Sequence, residues 1–397
     1  MDGQRLITLM KECLQSAQII IQGAGPVGLA CAIWLLQSNP DLELVLMDKN
    51  AQSDDDLKHG DTRGIAISEG SKQLLNNMHA WVDAAPAIHQ VHVSHQGHFG
   101  RTVMSKDEIH QDALGHIVRY RDIVLSLRNQ LRTMQAQVKN FTWLFDMTND
   151  FVMPSLSAEV CVIHADGGLF HEQSAKDIHK DYGQSALVGW LEVSDVKPNM
   201  AWERFTQGGP IAILPHHQGP QAKNFVWCAP VAKIDQLLSL PEDQFLKELI
   251  QAIQLPIGKF LKVHERRSYP LGLNMRKHIV QGHEVWIGNA AQTLHPVAGQ
   301  GLNLGLRDAF TLANCLHTIY ARPSNNRAQD LEARLLQYQE QRKQDRQATI
   351  RMTDLMASVF TSNFFPLVIG RGLALSALQW LPSVKNKLAR QMMFGQR

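Results

Sequence analysis

The sequence predicts an α/β fold with an antiparallel sheet inserted into it and a helical region at its C-terminal end. Three observations predict it. A strand, glycine turn, helix and strand occupy Ala17–Lys49; a train of short β-type runs fills Ser185–Cys228; and helical periodicity takes over from Gln329 onward. The order α/β, then β-rich, then α/β again implies a discontinuous first unit with a second sheet between its pieces. The boundaries expected are 1–75, 115–178 and 269–322 for the first unit, 76–114 and 179–268 for the inserted one, and 323–397 for the helical region.

The elements are justified in order. Ile19, Ile20 and Ile21 form the short apolar run of a strand buried on both faces. Pro26–Gln37 has helical spacing, and Glu43–Met47 resumes strand character. Helical patterns cover Glu69–Trp81 and Asp122–Met134, and a strand is expected over Val160–Ile163. The runs SALVGWLEV, AWERF, IAIL and NFVWC, divided by Gly, Pro and polar clusters, read as an antiparallel sheet. After Pro241 helices return, then a strand near Val285–Ile287, then a glycine-rich loop opening a helix that reaches about Tyr320.

Composition bounds the function. A chain of 397 residues suggests two or three units at ~100–200 residues each. With 44% hydrophobic and 19% charged residues it can bury a core, which excludes general disorder. Lys plus Arg (39) nearly balances Asp plus Glu (37), so no concentrated basic face argues for a nucleic-acid partner. The five cysteines are scattered without a CxxC pair, against a disulfide framework or a cysteine zinc site and in keeping with a reducing cytoplasm. The opening segment is amphipathic rather than a secretion signal, and the apolar stretch Phe364–Leu381 is interrupted by Arg371. The chain is expected to be soluble or peripheral, at most lying against the inner face of the cytoplasmic membrane.

Gly23-Ala24-Gly25-Pro26-Val27-Gly28 is a GxGxxG between a strand and a helix. Gly23 permits a tight turn, Gly25 lets a pyrophosphate approach the backbone, and Gly28 lets helix and strand pack closely. The helix N-terminus then offers free amides and a positive dipole end to phosphate. Asp48, at the end of the next strand, can accept hydrogen bonds from a ribose. Together they indicate Rossmann-like dinucleotide binding, without separating NAD from FAD; the alternative is a purely structural turn with Asp48 solvated.

A second loop follows Gly288. In GNAAQTLHPVAGQGLNLGLRDAF, the stretch Pro296, Gly299, Gln300, Gly301, Leu302 and Asn303 can lie flat against a ring and opens a helix. Amides there could stabilise negative charge on a reduced flavin. This segment resembles the second flavin motif of group A aromatic-ring monooxygenases, the para-hydroxybenzoate hydroxylase type of FAD-binding fold. Asn289 replaces the usual Asp after Gly288, which keeps a hydrogen-bonding group but removes a charge at the ribityl chain. The resemblance further implies flavin contacts at Arg63 (in Asp61-Thr62-Arg63) and at Arg121, and a structural, pyridine-nucleotide-side place among the cofactor-binding residues for Asp166 in the Asp166-Gly167 motif. The Ser and Arg that normally follow the last motif are not clear in GLFHEQSA, and Phe141–Glu159 is shorter than the family usually has.

DYGQSALV (Asp181–Val188), AWERFTQGGPIAILP (Ala201–Pro215), YPLGL (from Tyr269) and LHPVAGQGLNLGLRDA are similar to the ubiquinone-biosynthesis hydroxylases within that family. HVSHQGHFG (His92–Gly100), QRKQDRQATIRMTD and PLVIGR (from Pro366) are similar to members that hydroxylate 2-polyprenyl-6-methoxyphenol para to its hydroxyl. The resemblance implies FAD as cofactor, NAD(P)H as electron donor, O2 and a polyprenyl phenol as substrates, and a flavin C4a-hydroperoxide as the hydroxylating species. Other ubiquinone-biosynthesis proteins are candidate partners. Hydroxylation of another ring position or another aromatic compound, and a non-catalytic role in a biosynthetic complex, are the alternatives.

No general base stands out, and His295 is only a candidate against simple packing before Pro296. His89, His92, His95 and His98 recur every third residue, yet lack the carboxylate or cysteine pattern of a metal site. Trp202 and Phe205 could line a space for a prenyl tail or serve ordinary sheet packing. The apolar C-terminal segment (Phe360 to Leu381) with nearby Arg371, Lys385, Lys387 and Arg390 suits either contact with a membrane surface or partner, or packing on the core or across a dimer.

Overall fold

A computed structural model describes residues 3–49, 61–97, 101–145, 152–296, 299–320, 324–359 and 381–395. The strand Ile19–Gln22 runs parallel between Leu44–Met47 and Cys161–His164. Ile19 and Ile21 face one core, shared with the helix Pro26–Ser38, while Ile20 faces another, with Leu14 of the helix Gly3–Ser16. Alternating side chains thus cover both faces of a central parallel strand, as its uninterrupted isoleucines require. The six-stranded sheet runs in the order Val280–Gln281, Glu284–Trp286, Cys161–His164, Ile19–Gln22, Leu44–Met47, Phe141–Leu144.

The inserted sheet has eight strands: Gln292–Thr293, Lys259–Met275, Ile178–Ser194, Gly219–Pro230, Gly209–His216, Met200–Thr206, Gln90–His95 and Arg101–Ser105. All pairings are antiparallel except Met200–Thr206 with Gln90–His95. One face, with Leu187, Leu191, Ile211, Ile213 and Trp227, packs on the helices Val231–Ser239 and Glu242–Ile253. The opposite face is turned to a large cavity. A three-stranded sheet of Gly64–Ser68, Gly115–Arg119 and Ala87–Ile88 adjoins it.

Two local differences from the sequence reading are instructive. The helix beginning at Glu69 ends at Asn77 rather than Trp81, because the chain reverses at Met78–His79, where His79 takes a positive φ of 56°. The 17-residue strand Lys259–Met275 was not expected. Three register shifts against Ile178–Ser194 break its alternation, and the expected 268/269 boundary falls inside it.

The long helix Arg327–Val359 is fastened to the helix Gln300–Leu316 by buried charge. Arg342 donates through Nε to Asp308 Oδ1 (2.8 Å) and through Nη1 to Asp345 Oδ2 (2.7 Å), and Arg307 Nε donates to the same Asp345 oxygen (2.8 Å). Burial alone would raise the Asp345 carboxyl, but Arg307 and Arg342 outweigh it and hold it below its ordinary range. Further on, the helix Pro382–Phe394 buries Ala389 and Met393 against Ile109. Its Lys385 Nζ donates to Glu108 Oε1 (2.6 Å) and to the Val103 carbonyl (3.2 Å). The apolar segment 360–380, read above as a membrane or partner contact, lies outside the described residues, as do His98 and residues 146–151. Among the described residues no helix is long and apolar enough to cross a membrane.

Candidate active site

One cavity of about 1430 Å³ extends from the first glycine turn, past the second glycine loop, to the open face of the eight-stranded sheet. Every position read above as cofactor-binding lines it except Gly28, which lies beneath the turn. The volume exceeds the ~300–1,000 Å³ of ordinary small-molecule sites, so a dinucleotide and a second molecule can share it.

The turn is built tightly around glycine. Gly23 has φ +103°, and a Cβ there would stand 2.7 Å from the backbone of Ala165 and Asp166. A Cβ on Gly28 would lie 1.9 Å from the Gly23 carbonyl oxygen. Gly25 caps the helix Pro26–Ser38 with no side-chain hydrogen bond, leaving its first-turn amides for an anion. Asp48 Oδ2 accepts a 2.7 Å hydrogen bond from the Ala24 amide, bracing the turn from below while the residue also lines the cavity. Asp48→Ala removes a hydrogen bond to a carboxylate, of about 1.5–3 kcal/mol. FAD affinity is expected to fall roughly 10- to 100-fold, read by quenching of FAD fluorescence on titration.

Arg63 is set by its neighbours. Its guanidinium is engaged by Asp61, with Nε 2.8 Å from each carboxylate oxygen, and lies 4.5 Å from the ring centroid of Tyr269. Burial opposes its charge, but Asp61 prevails and holds its pKa above the ordinary value. Arg121 enters the cavity at the start of the helix Tyr120–Gln135, and its amide donates to the Asp61 carbonyl (3.2 Å). These two cations are therefore brought to the same wall.

The Asn at position 289 has a local reason. Its Nδ2 donates to the Gly168 carbonyl (3.0 Å), which an aspartate could not do. A Cβ on Gly167 would come within 2.3 Å of Asn289, so the Asp166-Gly167 turn and the Gly288-Asn289 turn are in close contact. Lys176, which the sequence reading missed, donates to the Asn289 carbonyl (2.8 Å); burial, then Arg276, pushes its pKa down to about 8.

In the second loop Gly299 has φ +59° and caps the helix Gln300–Leu316. Asn303 braces it: Oδ1 accepts from the Ser68 amide (2.9 Å), and Nδ2 donates to the carbonyls of Ala66 and Gly299 (2.8 Å each). Among the described residues, a Cβ on Gly301 would meet nothing within 4 Å, so open space faces the loop there. Val297 and Ala298 lie outside the described residues. The capless helix ends, the glycine cradle and the open space before Gly301 together fit a flavin dinucleotide.

His295 is not part of this wall. Its imidazole is 1% exposed and packs edge-on against Tyr182, and burial pushes its pKa down to about 4. A buried, neutral ring turned from the cavity agrees with the packing reading. Phe205 faces the cavity, whereas Trp202 belongs to the core on the other side of the sheet and reaches the cavity only at its margin. The strand Gln90–His95 takes up His92 and His95, and among the described residues no cluster of His, Cys, Asp or Glu could hold a metal.

Residues 161–353 match the family model described as FAD binding domain. The chain is 26% identical to the mitochondrial ubiquinone biosynthesis monooxygenase COQ6 of Danio rerio, covering 93% of this chain and 88% of that protein. It is 31% identical to ubiquinone hydroxylase UbiL of Rhodospirillum rubrum over 53% of this chain and 48% of that one. Its fold matches p-nitrophenol 4-monooxygenase PnpA from Pseudomonas putida with a TM-score of 0.69 at 15% identity, covering 96% of this chain and 98% of that one. The chain is thus an FAD-dependent monooxygenase with the group A flavin monooxygenase fold, similar over most of its length to ubiquinone-biosynthesis hydroxylases.

Proposed function

We propose that this monooxygenase hydroxylates the ring of a 2-polyprenyl-6-methoxyphenol para to its hydroxyl, giving the 1,4-benzoquinol. The observation that carries this is the apolar chamber joined to the flavin end of the cavity. Its floor is one face of the eight-stranded sheet, with Ala186, Val188, Ala201, Ala212 and Val226, and Met392 of the helix Pro382–Phe394 adds to its walls. An apolar chamber suits a prenylated ring and withholds water from the reacting oxygen. When bound, FAD takes electrons from NAD(P)H and passes one oxygen atom of O2 to the ring.

The chain's own residues have positional tasks. Gly23, Gly25 and the first-turn amides of the helix Pro26–Ser38 would hold the pyrophosphate, and Asp48 a ribose. Arg63, Arg121, Asp166 and Asn289 would border the rest of the cofactor, with Pro296 and Gly299 to Asn303 along its ring. Pieces 1–75, 115–178 and 269–322 would form the flavin unit and 76–114 with 179–268 the substrate unit, joined by strands common to both. A water-insoluble substrate favours peripheral contact with the cytoplasmic membrane through residues 360–380.

Purified, FAD-loaded protein should oxidise NAD(P)H several-fold faster with a short-chain 2-prenyl-6-methoxyphenol, and mass spectrometry should identify the 1,4-quinol. A product oxygenated elsewhere would refute the ring position. No acceleration by any prenylated phenol would sink the substrate class.

A further inference from the structure

The floor of the apolar chamber carries one carboxylate. On the strand Met200–Thr206, Ala201, Glu203 and Phe205 point to the cavity, while Trp202 and Arg204 point to the opposite face. Glu203 is in register with Val93 on one side and Ala212 on the other. This face also carries the small apolar Val91, Ala186, Val188 and Val226, with the polar Asn224 and His216 on the strands beyond. Among the described residues no hydrogen bond or ion pair engages the Glu203 carboxylate, and its remaining exposed surface opens on the cavity. A lone carboxylate in an apolar chamber is costly unless something enters to meet it.

We propose that Glu203 accepts the proton of the substrate's phenolic hydroxyl. This inference rests on the phenol reading above and adds a residue to it. The phenol O–H bond breaks, the proton passes to a Glu203 oxygen, and the electron pair stays on the phenol oxygen. The resulting phenolate enriches its para carbon, the position to be hydroxylated. Once oxygen has been added, the ring loses its own proton to solvent and Glu203 returns the first proton to the oxygen it came from. No oxidant or reductant beyond those of the hydroxylation is consumed by this exchange.

The surroundings suit a base near neutrality. Burial pushes the Glu203 carboxyl up to about 7, which places the proton acceptor near working pH. The groups packed around it leave that value to burial. The Cys228 thiol, on the next strand but one, is itself pushed up by burial and then by Glu203. On the adjoining strands His95 lies beyond Val93, and His216 is pushed down to about 3 by burial. Lys385, across the cavity, is engaged by Glu108.

The test uses the FAD-loaded protein, its Glu203→Gln and Glu203→Asp variants, and a phenol whose phenolate absorbs in the visible range. The wild type should shift the bound probe to phenolate, and kcat/KM should rise with pH through about 7 to a plateau. E203Q should bind the probe within a few-fold, as read by perturbation of the flavin spectrum, but show no phenolate band. It should also lose the acidic limb and fall about 100-fold in kcat at pH 7. E203D should recover part of both. A phenolate band and pH profile unchanged in E203Q would overturn the role of Glu203 while leaving the phenol reading intact. Wild type that binds no phenol would overturn both. Should E203Q fail to retain FAD, wild-type titration decides alone: a bound probe that stays neutral from about pH 5 to about pH 9 refutes the proposal.

Discussion

Gly28→Ala should yield a colourless protein. The added methyl would stand 1.9 Å from the Gly23 carbonyl oxygen and 3.3 Å from the Ala165 side chain. The first neighbour is backbone, held in place because the Gly23 amide donates to the Met47 carbonyl (2.7 Å). Relief can come only by lifting the helix Pro26–Ser38 off the sheet, which moves the first-turn amides away from their anion. FAD affinity should fall more than about 100-fold, some 3 kcal/mol or more, read as flavin absorbance per protein after gel filtration. Gly208→Ala is the control, since that residue does not line the cavity and a Cβ there would meet only Thr206 Oγ1 at 3.9 Å and the Ala229 side chain at 4.0 Å among the described residues; it should keep its flavin. A yellow Gly28→Ala protein with wild-type flavin content would show that the turn tolerates a displacement the geometry denies it.

Asp308→Ala should be the most destabilising single change in the helical layer. Asp308 is 1% exposed and satisfies three donors: Arg342 Nε (2.8 Å), Gln292 Nε2 (2.8 Å) and the Gly288 amide (3.2 Å). Its removal leaves the Arg342 guanidinium buried with Asp345 as its remaining carboxylate. Breaking a buried pair from one side costs about 3–5 kcal/mol, and should lower Tm by roughly 5 °C in a chain of this size. The Asp308→Leu/Arg342→Met double variant should regain much of that loss, because neither charge then remains to be desolvated. A drop below about 1 kcal/mol in the single variant, by denaturant titration, would contradict the network. Loosened FAD is expected as well, since Asp308 also anchors the Gly288 turn.

The glycine turn, its strands and its acid were legible because each is a local signal with a steric reason. The second glycine loop was legible for the same cause, and it lines the same cavity. The strand Lys259–Met275 was not, since bulges and its run of basic residues hide the alternation a strand normally displays. The network of Arg307, Asp308, Arg342 and Asp345 was invisible for another reason. Along the sequence its members look like solvated helix charges, and only the docking of two distant helices buries them. Glu203 was hidden in plain view within AWERF. A charged residue alternating with Trp202 reads as the outward side of a half-buried strand, yet here outward means into the cavity. His295 was the converse: a residue of catalytic type whose packing against Tyr182 keeps it out of the cavity wall.

The helix Pro382–Phe394 lends Leu388, Ala389, Met392 and Met393 to the cavity wall, although both glycine loops that line the cavity lie before residue 304. Synthesis proceeds from the N-terminus, so this wall leaves the ribosome after everything that cradles the cofactor. The part of the cavity wall contributed by this helix is therefore the last part of the cavity to be synthesised.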